Sequence, residues 1–358
     1  MNSKERIHNI LHGLPHDRIG LFEHFWGDTR NVWTEQGHIQ EKEDLSEHFS
    51  FDMNQTWCFN NLAKWDFKAE IIEEDENTVL KKDGNGAYLR NHKKHNATPE
   101  HVDFTVKDRA TWEEHIVPYL KPDACRINLE SYRETKKKAA EDDLYFVWGG
   151  VSVFELMHPV CGHEYMLMGM VEDPDWIEDM AMSYADYNIN MLEILFEKEG
   201  KPDGLWFYED MGFKERPFMG PGMYEEMIQP AHKKIHDFAH ANDLPVIMHS
   251  CGFIEPLLPG MIESGIDCLQ VMEIKAGMNP LRIHEKYGDQ IALCGGLDAR
   301  NLVANDLNAI DKELEDKIPI LKNGKGFILH SDHSIPTTTE YETYRHFVDK
   351  GLSLGMRA

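Results

Sequence analysis

The sequence predicts an α/β fold: a single (β/α)8 TIM-type barrel spanning residues 1–358, with N-terminal helices and a small antiparallel β meander at residues 69–90 near the barrel mouth. Two observations predict it. Continuous apolar runs at residues 144–150, 204–208, 245–250, 267–272, 290–295 and 326–330 alternate with helical patterns at 176–199, 222–241, 254–264, 280–286 and 305–317. That alternation is the mark of βαβ units whose parallel strands are buried on both faces. Nearly every run also ends in polar chemistry, and a barrel gathers all of its strand C-termini at one mouth. A doubly wound open sheet is the alternative, and the strand ends favour the barrel.

The elements follow in order. The first 60 residues read as helices broken at Gly13-Leu14-Pro15, with an apolar run, Ile19-Gly20-Leu21-Phe22, leading into Glu23-His24-Phe25-Trp26. Runs at 19–25 and 51–57 bring the strand count to about eight, the number a closed barrel takes. Glu70-Ile71-Ile72-Glu73 and Thr78-Val79-Leu80-Lys81 flank an acidic turn, and Asp83-Gly84-Asn85-Gly86 precedes Ala87-Tyr88-Leu89-Arg90, giving the meander. It is an excursion rather than a second domain, because roughly 20 residues are too few for an independent core. Residues 107–142 are helical and charge-dense. Met166, Met168, Met170, Met180 and Met182 read as a helical core, and Cys268 and Cys294 fall inside strand runs as core.

Composition removes whole classes. The 358 residues include 63 acidic and 37 basic ones, a net charge of −26, with 41% hydrophobic residues. The apolar content supports a large core and excludes a disordered chain. The acidity repels phosphate backbones and anionic lipid, so neither nucleic acid nor a membrane is expected as a partner. No apolar run of about 18 residues appears, and the six scattered cysteines are not a secreted disulfide framework. The expectation is a cytoplasmic protein with reduced thiols and a small-molecule substrate, compatible with a homodimer. No P-loop, Gly-x-Gly-x-x-Gly turn or Gly-x-Ser-x-Gly elbow is present.

The sharpest feature is His249-Ser250-Cys251-Gly252 at a strand end. A histidine and a cysteine two residues apart point to the same side of an extended chain and can bind one soft cation, with glycine allowing a tight turn behind them. The ordinary alternative is a buried cysteine beside a hydrogen-bonded histidine. Three protein ligands plus an open position make a working zinc site. The end of the last strand, His330-Ser331-Asp332-His333, offers His333 as third ligand, with Asp332 as substitute or as the group that orients an imidazole. Glu209-Asp210 follows another strand; adjacent carboxylates repel, so one can serve as acid or base while the other binds a cation or a substrate donor. Glu23-His24 is a further proton-handling pair. Trp26, Glu273, Asp298 and His330 are the expected substrate contacts, although Asp298 also reads as a helix cap and Glu273 as a ligand or a partner of Lys275.

Taken together, these motifs resemble the uroporphyrinogen decarboxylase superfamily over nearly the whole chain. The resemblance is carried by Gly13-Leu14-Pro15-His16-Asp17-Arg18, Glu209-Asp210-Met211-Gly212, His249-Ser250-Cys251-Gly252, Ile262-Glu263-Ser264-Gly265-Ile266-Asp267, Ala276-Gly277-Met278, Gly295-Gly296-Leu297-Asp298 and His333-Ser334-Ile335-Pro336. It implies a (β/α)8 barrel. The decarboxylases carry an Arg-Gln-Ala-Gly-Arg segment after the first strand; here that place reads Glu23-His24-Phe25-Trp26-Gly27-Asp28, a poor receptor for an octacarboxylate. The zinc-dependent methyltransferase branch, which exchanges methyl groups with corrinoid proteins, carries a His-x-Cys pair and a distant third cysteine. The pair is present as His249 and Cys251. The third cysteine is replaced by Asp332 or His333. The resemblance thus implies zinc, a corrinoid carried by a partner protein, and methyl transfer to or from a small O- or N-methylated compound or a thiol, with Glu209 or Asp210 supplying a proton. The alternative is a uroporphyrinogen decarboxylase-like lyase acting without metal.

Overall fold

Parallel pairing of the apolar runs builds the barrel in a computed structural model that describes residues 1–94 and 99–357. The strands are β1 (Gly20–Leu21), β2 (Met53–Trp57), β3 (Glu70–Glu74), β4 (Thr78–Lys82), β5 (Ala87–His92), β6 (Glu100–Phe104), β7 (Tyr145–Val151), β8 (Gly204–Tyr208), β9 (Val246–Ser250), β10 (Cys268–Val271), β11 (Ala292–Gly295) and β12 (Phe327–Leu329). Eight of them form one parallel sheet in the order β1-β12-β11-β10-β9-β8-β7-β2. The ring is nearly closed. Between β1 and β2, the Asp52 backbone N–H donates to the Leu21 carbonyl and the Leu21 N–H donates to Asp52 Oδ2, each at 2.8 Å. Asp52 is fully buried, and its charge is met by Arg6 at 2.7 Å and Arg18 at 2.8 Å, as a buried carboxylate requires.

The barrel strands are apolar throughout because helices cover their outer faces. Helices Val153–Glu172 and Pro174–Glu199 follow β7, Gln229–Ala241 follows β8, and Leu258–Glu263, Pro280–Tyr287, Leu307–Leu321 and Tyr341–Leu354 follow later strands. Cys268 and Cys294 are buried as expected; so are Met166, Met170 and Met180, but Met168 is exposed because it lies on the outer side of its helix. Among the described residues, no helix is long and apolar enough to cross a membrane.

The meander is larger than its sequence pattern suggests. A separate antiparallel sheet, β3-β4-β5-β6, runs on to Phe104. It belongs to the connection between β2 and β7 and packs on helix Val153–Glu172: the Phe104 ring fills the space at Gly162, where an added Cβ would come within 2.3 Å of it. Asn85 Oδ1 accepts from the Ala63 N–H at 2.8 Å, tying the sheet to the loop that leaves β2.

Candidate metal centre at the barrel mouth

Strand register sets the site. Tyr208 pairs with His249 and His249 with Gln270 across β8, β9 and β10, so their side chains occupy one level of the barrel interior. Beyond that level the chain turns at Gly212 and Gly252, whose backbones lie so close that a Cβ on Gly252 would meet the Gly212 carbonyl carbon at 2.4 Å. Gly252 has φ +77°, which glycine adopts without strain. This close approach brings Asp210 beside Cys251. The Cys251 N–H donates to Asp210 Oδ1 at 2.8 Å, and His249 Nε2 lies 3.2 Å from both Asp210 Oδ1 and Cys251 Sγ. The three side chains offer ligand atoms within 4.8 Å of one another.

The electrostatics of the cluster follow from this packing. Burial opposes charge on His249, but Cys251 and Asp210 outweigh it and raise its pKa well above the ordinary value. Burial likewise works against ionised Asp210, while His249 and the Cys251 N–H hold its pKa below the usual range. Burial leads in raising the Cys251 thiol. The cluster thus favours a proton on His249 beside an ionised Asp210 and a neutral Cys251 thiol.

The other residues singled out in the sequence lie elsewhere around the mouth. Asp332 does not join the cluster: its two oxygens accept from the Ile274 and Ala299 N–H groups, each at 2.8 Å. Burial pushes its pKa up to about 6. His333 is exposed, its ring stacked on Trp26 with centroids 6.2 Å apart. Glu209 is fully buried and anchored, accepting from the Phe154 and Glu155 N–H groups and meeting His232 Nε2 at 2.5 Å; burial pushes it up to about 8. Glu23 is also buried, accepting from the His24 and Ser331 N–H groups, and burial raises it to about 8. His24, lowered by burial to about 4, meets His330 Nε2 at 3.0 Å through its Nδ1 and the Tyr208 hydroxyl at 3.0 Å through its Nε2. Glu273 accepts from the Gly252 N–H at 2.9 Å, bracing the turn behind Cys251 rather than pairing with Lys275. Asp298 caps helix Ala299–Val303 through the Arg300 N–H.

Two groups escaped the sequence reading. Gln270 is a buried amide in the otherwise apolar strand β10, and a lone amide in such a run is the signal that marks it. Glu155 stands in the first turn of the helix after β7, Oε1 3.5 Å from His158 Nδ1. Burial first, then the charges of Asp210 and Glu209, raise it to about 8. A cleft of about 350 Å³ opens beside Cys251, lined by Gly212, Phe213, Lys214, Glu273 and Lys275 among others. A larger hollow of about 670 Å³, between Asn2 and Leu244, borders the residues that lead into β7, β8 and β9, at the end of the barrel away from these groups.

Comparison with known proteins gives the family and the fold. The family model described as Uroporphyrinogen decarboxylase (URO-D) matches residues 93–351. No curated protein matches the chain. Among solved structures, a methyltransferase from Methanosarcina mazei is similar over 98% of both chains, with TM-score 0.67 and 15% sequence identity, which shows a shared fold. A β-glycosidase from Thermosphaera aggregans matches 96% of this chain and 98% of its own, with TM-score 0.44 and 12% identity.

Proposed function

The chain belongs to the uroporphyrinogen decarboxylase family, and on that premise we propose that it is a methyltransferase moving a methyl group between a small O- or N-methylated compound, or a thiol, and a corrinoid protein. The observation that carries the reading is the convergence of His249 Nε2, Cys251 Sγ and Asp210 Oδ1. One imidazole, one thiol and one carboxylate, half-open to the mouth, suit zinc with a free position for substrate. Asp210 stands in for the third cysteine of the methyltransferase branch. Bound there, zinc supplies a Lewis acid toward the heteroatom that carries the methyl group.

The chain's own residues do the remaining work. The cleft beside Cys251 admits the substrate, with Phe213 as an apolar wall and the exposed Lys214 and Lys275 at its rim. Glu155 carries a proton on its carboxyl at neutral pH, which a departing oxygen or nitrogen needs. Glu209 is held by three donors and fixes the backbone of Phe154 and Glu155, so it positions Glu155. Trp26 and His333 form a stacked rim, and the corrinoid protein docks over this face.

Metal analysis with turnover assays tests the reading. The expected result is about one zinc per chain, lost in Cys251→Ala together with methyl transfer to a corrinoid protein. Metal-free protein that takes up no zinc and decarboxylates uroporphyrinogen would establish the lyase instead.

A further inference from the structure

Beneath the candidate ligands lies a hydrogen-bond network whose donor directions are fixed by a single backbone carbonyl. His330 Nδ1 meets the Ser331 carbonyl oxygen at 2.5 Å, and a carbonyl only accepts, so Nδ1 carries the hydrogen. Full burial holds His330 neutral, which leaves Nε2 as an acceptor, and the Glu23 carboxyl 3.2 Å from it is kept protonated by burial and so able to donate there. Gln270 lies 3.4 Å from that nitrogen and must present its amide N–H there. Its carbonyl oxygen therefore faces the other way, onto His249 Nδ1, which must donate to it. With Nδ1 occupied, His249 has Nε2 alone to offer to the point shared with Asp210 and Cys251.

The same logic runs along a second branch. His24 Nδ1 donates to His330 Nε2, the Tyr208 hydroxyl donates to His24 Nε2, and Gln55 Nε2 donates to the Tyr208 oxygen at 3.2 Å. Trp57 Nε1 completes the series by donating to Gln55 Oε1 at 3.2 Å. His24 Nε2 also lies 3.2 Å from Gln55 Oε1, the one contact in this branch where two acceptors face each other. The network therefore links side chains of β2, β8, β9 and β10 with residues just beyond β1 and β12. At its buried centre, Gln270 and His330, breaking a link leaves polar partners unpaired.

We infer that Gln270 and His330 are positioning residues that fix the His249 tautomer and ring orientation, so that Nε2 is the nitrogen presented to the cation. The inference rests on the metal-binding reading of Asp210, His249 and Cys251. It goes beyond that reading in assigning the selection of the ligand atom to an amide on β10 and an imidazole beyond β12. Outer partners of ligand histidines act in this way, and their loss costs about 10–100-fold in metal affinity.

The experiment compares wild type with Gln270→Leu and Gln270→Glu. Zinc affinity is read by chelator competition on metal-stripped chain, and the His249 Nδ1–H proton is followed by NMR for exchange with solvent. Gln270→Glu keeps an oxygen that accepts from Nδ1–H, so zinc affinity stays within a few-fold of wild type and the proton stays protected. Gln270→Leu loses about 10–100-fold in zinc affinity and the protected proton, while circular dichroism shows it folded. Equal zinc affinity and an equally protected proton in Gln270→Leu overturn the inference. So does a wild-type His249 that carries no protected Nδ1–H. Wild type that binds no zinc removes the metal reading, and the Nδ1–H proton in metal-free chain then still decides whether Gln270 holds His249.

Discussion

Two strand ends of this barrel look alike in sequence and differ in kind. His249-Ser250-Cys251 follows β9, and His330-Ser331-Asp332-His333 follows β12. Both place histidine and a second ligand type at the mouth. At the β9 end His249 Nε2 and Cys251 Sγ face each other and Asp210 Oδ1, which accepts a single backbone N–H, whereas at the β12 end the chain has already used the side chains. Asp332 holds two backbone N–H groups, the Ser331 N–H is held by Glu23, and His330 Nδ1 is spent on a carbonyl. A carboxylate with both oxygens held by backbone N–H groups, as in Asp332, has less to offer a cation than one with a single such bond, as in Asp210, and the two ends separate on that point.

The largest expected effect breaks the β9 end. Cys251→Ala should weaken zinc binding by more than the roughly 100-fold that loss of an outer partner costs, with stability little changed, as equilibrium dialysis and urea unfolding would show. The β12 end should respond in the opposite way. Asp332→Ala strands the Ile274 and Ala299 N–H groups at about 1–3 kcal/mol each, so urea unfolding should show a loss of about 2–6 kcal/mol while zinc per folded chain stays at the wild-type level.

A smaller effect lies beside the β9 cluster. Burial pushes the folded pKa of Glu155 up to about 8, above the ordinary glutamate value of about 4.5. Between those values the unfolded chain has released a proton that the folded chain keeps, so stability falls as pH rises through that window and levels off above the folded pKa. Glu155→Gln carries no such proton. Urea unfolding of metal-free protein at pH 6 and pH 8.5 should show wild type losing about 2 kcal/mol more than the variant. The smallest change belongs to the exposed His333, whose Nδ1 has only the Ser334 carbonyl at 3.3 Å. His333→Ala should move stability by less than about 0.5 kcal/mol and leave zinc affinity unaltered in the same dialysis assay. A loss of zinc there would return the third ligand to the β12 end.

The barrel was legible because its strands are continuous apolar runs: β8 through β12 fall within the segments that hydrophobicity marks, and β7 overruns its segment by Val151 alone. Strand β1 is shorter than its run, since the chain leaves the sheet after Leu21 and Phe25 bridges to Ile335 beyond β12 instead. Strand β6 gave no signal because Glu100, His101 and Val102 are all exposed, so no apolar face marks them. Helix Val153–Glu172 is broken in pattern by Pro159 and by Gly162 at φ +71°, which kept its first turn and Glu155 out of view. At the site, His249 and Cys251 were readable from spacing along one strand. Asp210 was readable only as chemistry at a strand end, because its partnership with Cys251 depends on the contact between Gly212 and Gly252 from different loops. The commitment of Asp332 to backbone donors likewise leaves no trace in spacing.

The central claim is that one thiolate, one imidazole and one carboxylate hold the cation, with Asp210 as the carboxylate. X-ray absorption at the zinc edge tests it most directly, on wild type beside Asp210→Ala and Asp332→Ala. The account predicts a single sulfur at about 2.3 Å with nitrogen and oxygen at about 2.0–2.2 Å, an oxygen shell diminished in Asp210→Ala, and a spectrum unchanged in Asp332→Ala. Two sulfurs, or a shell altered by Asp332→Ala and untouched by Asp210→Ala, would contradict it.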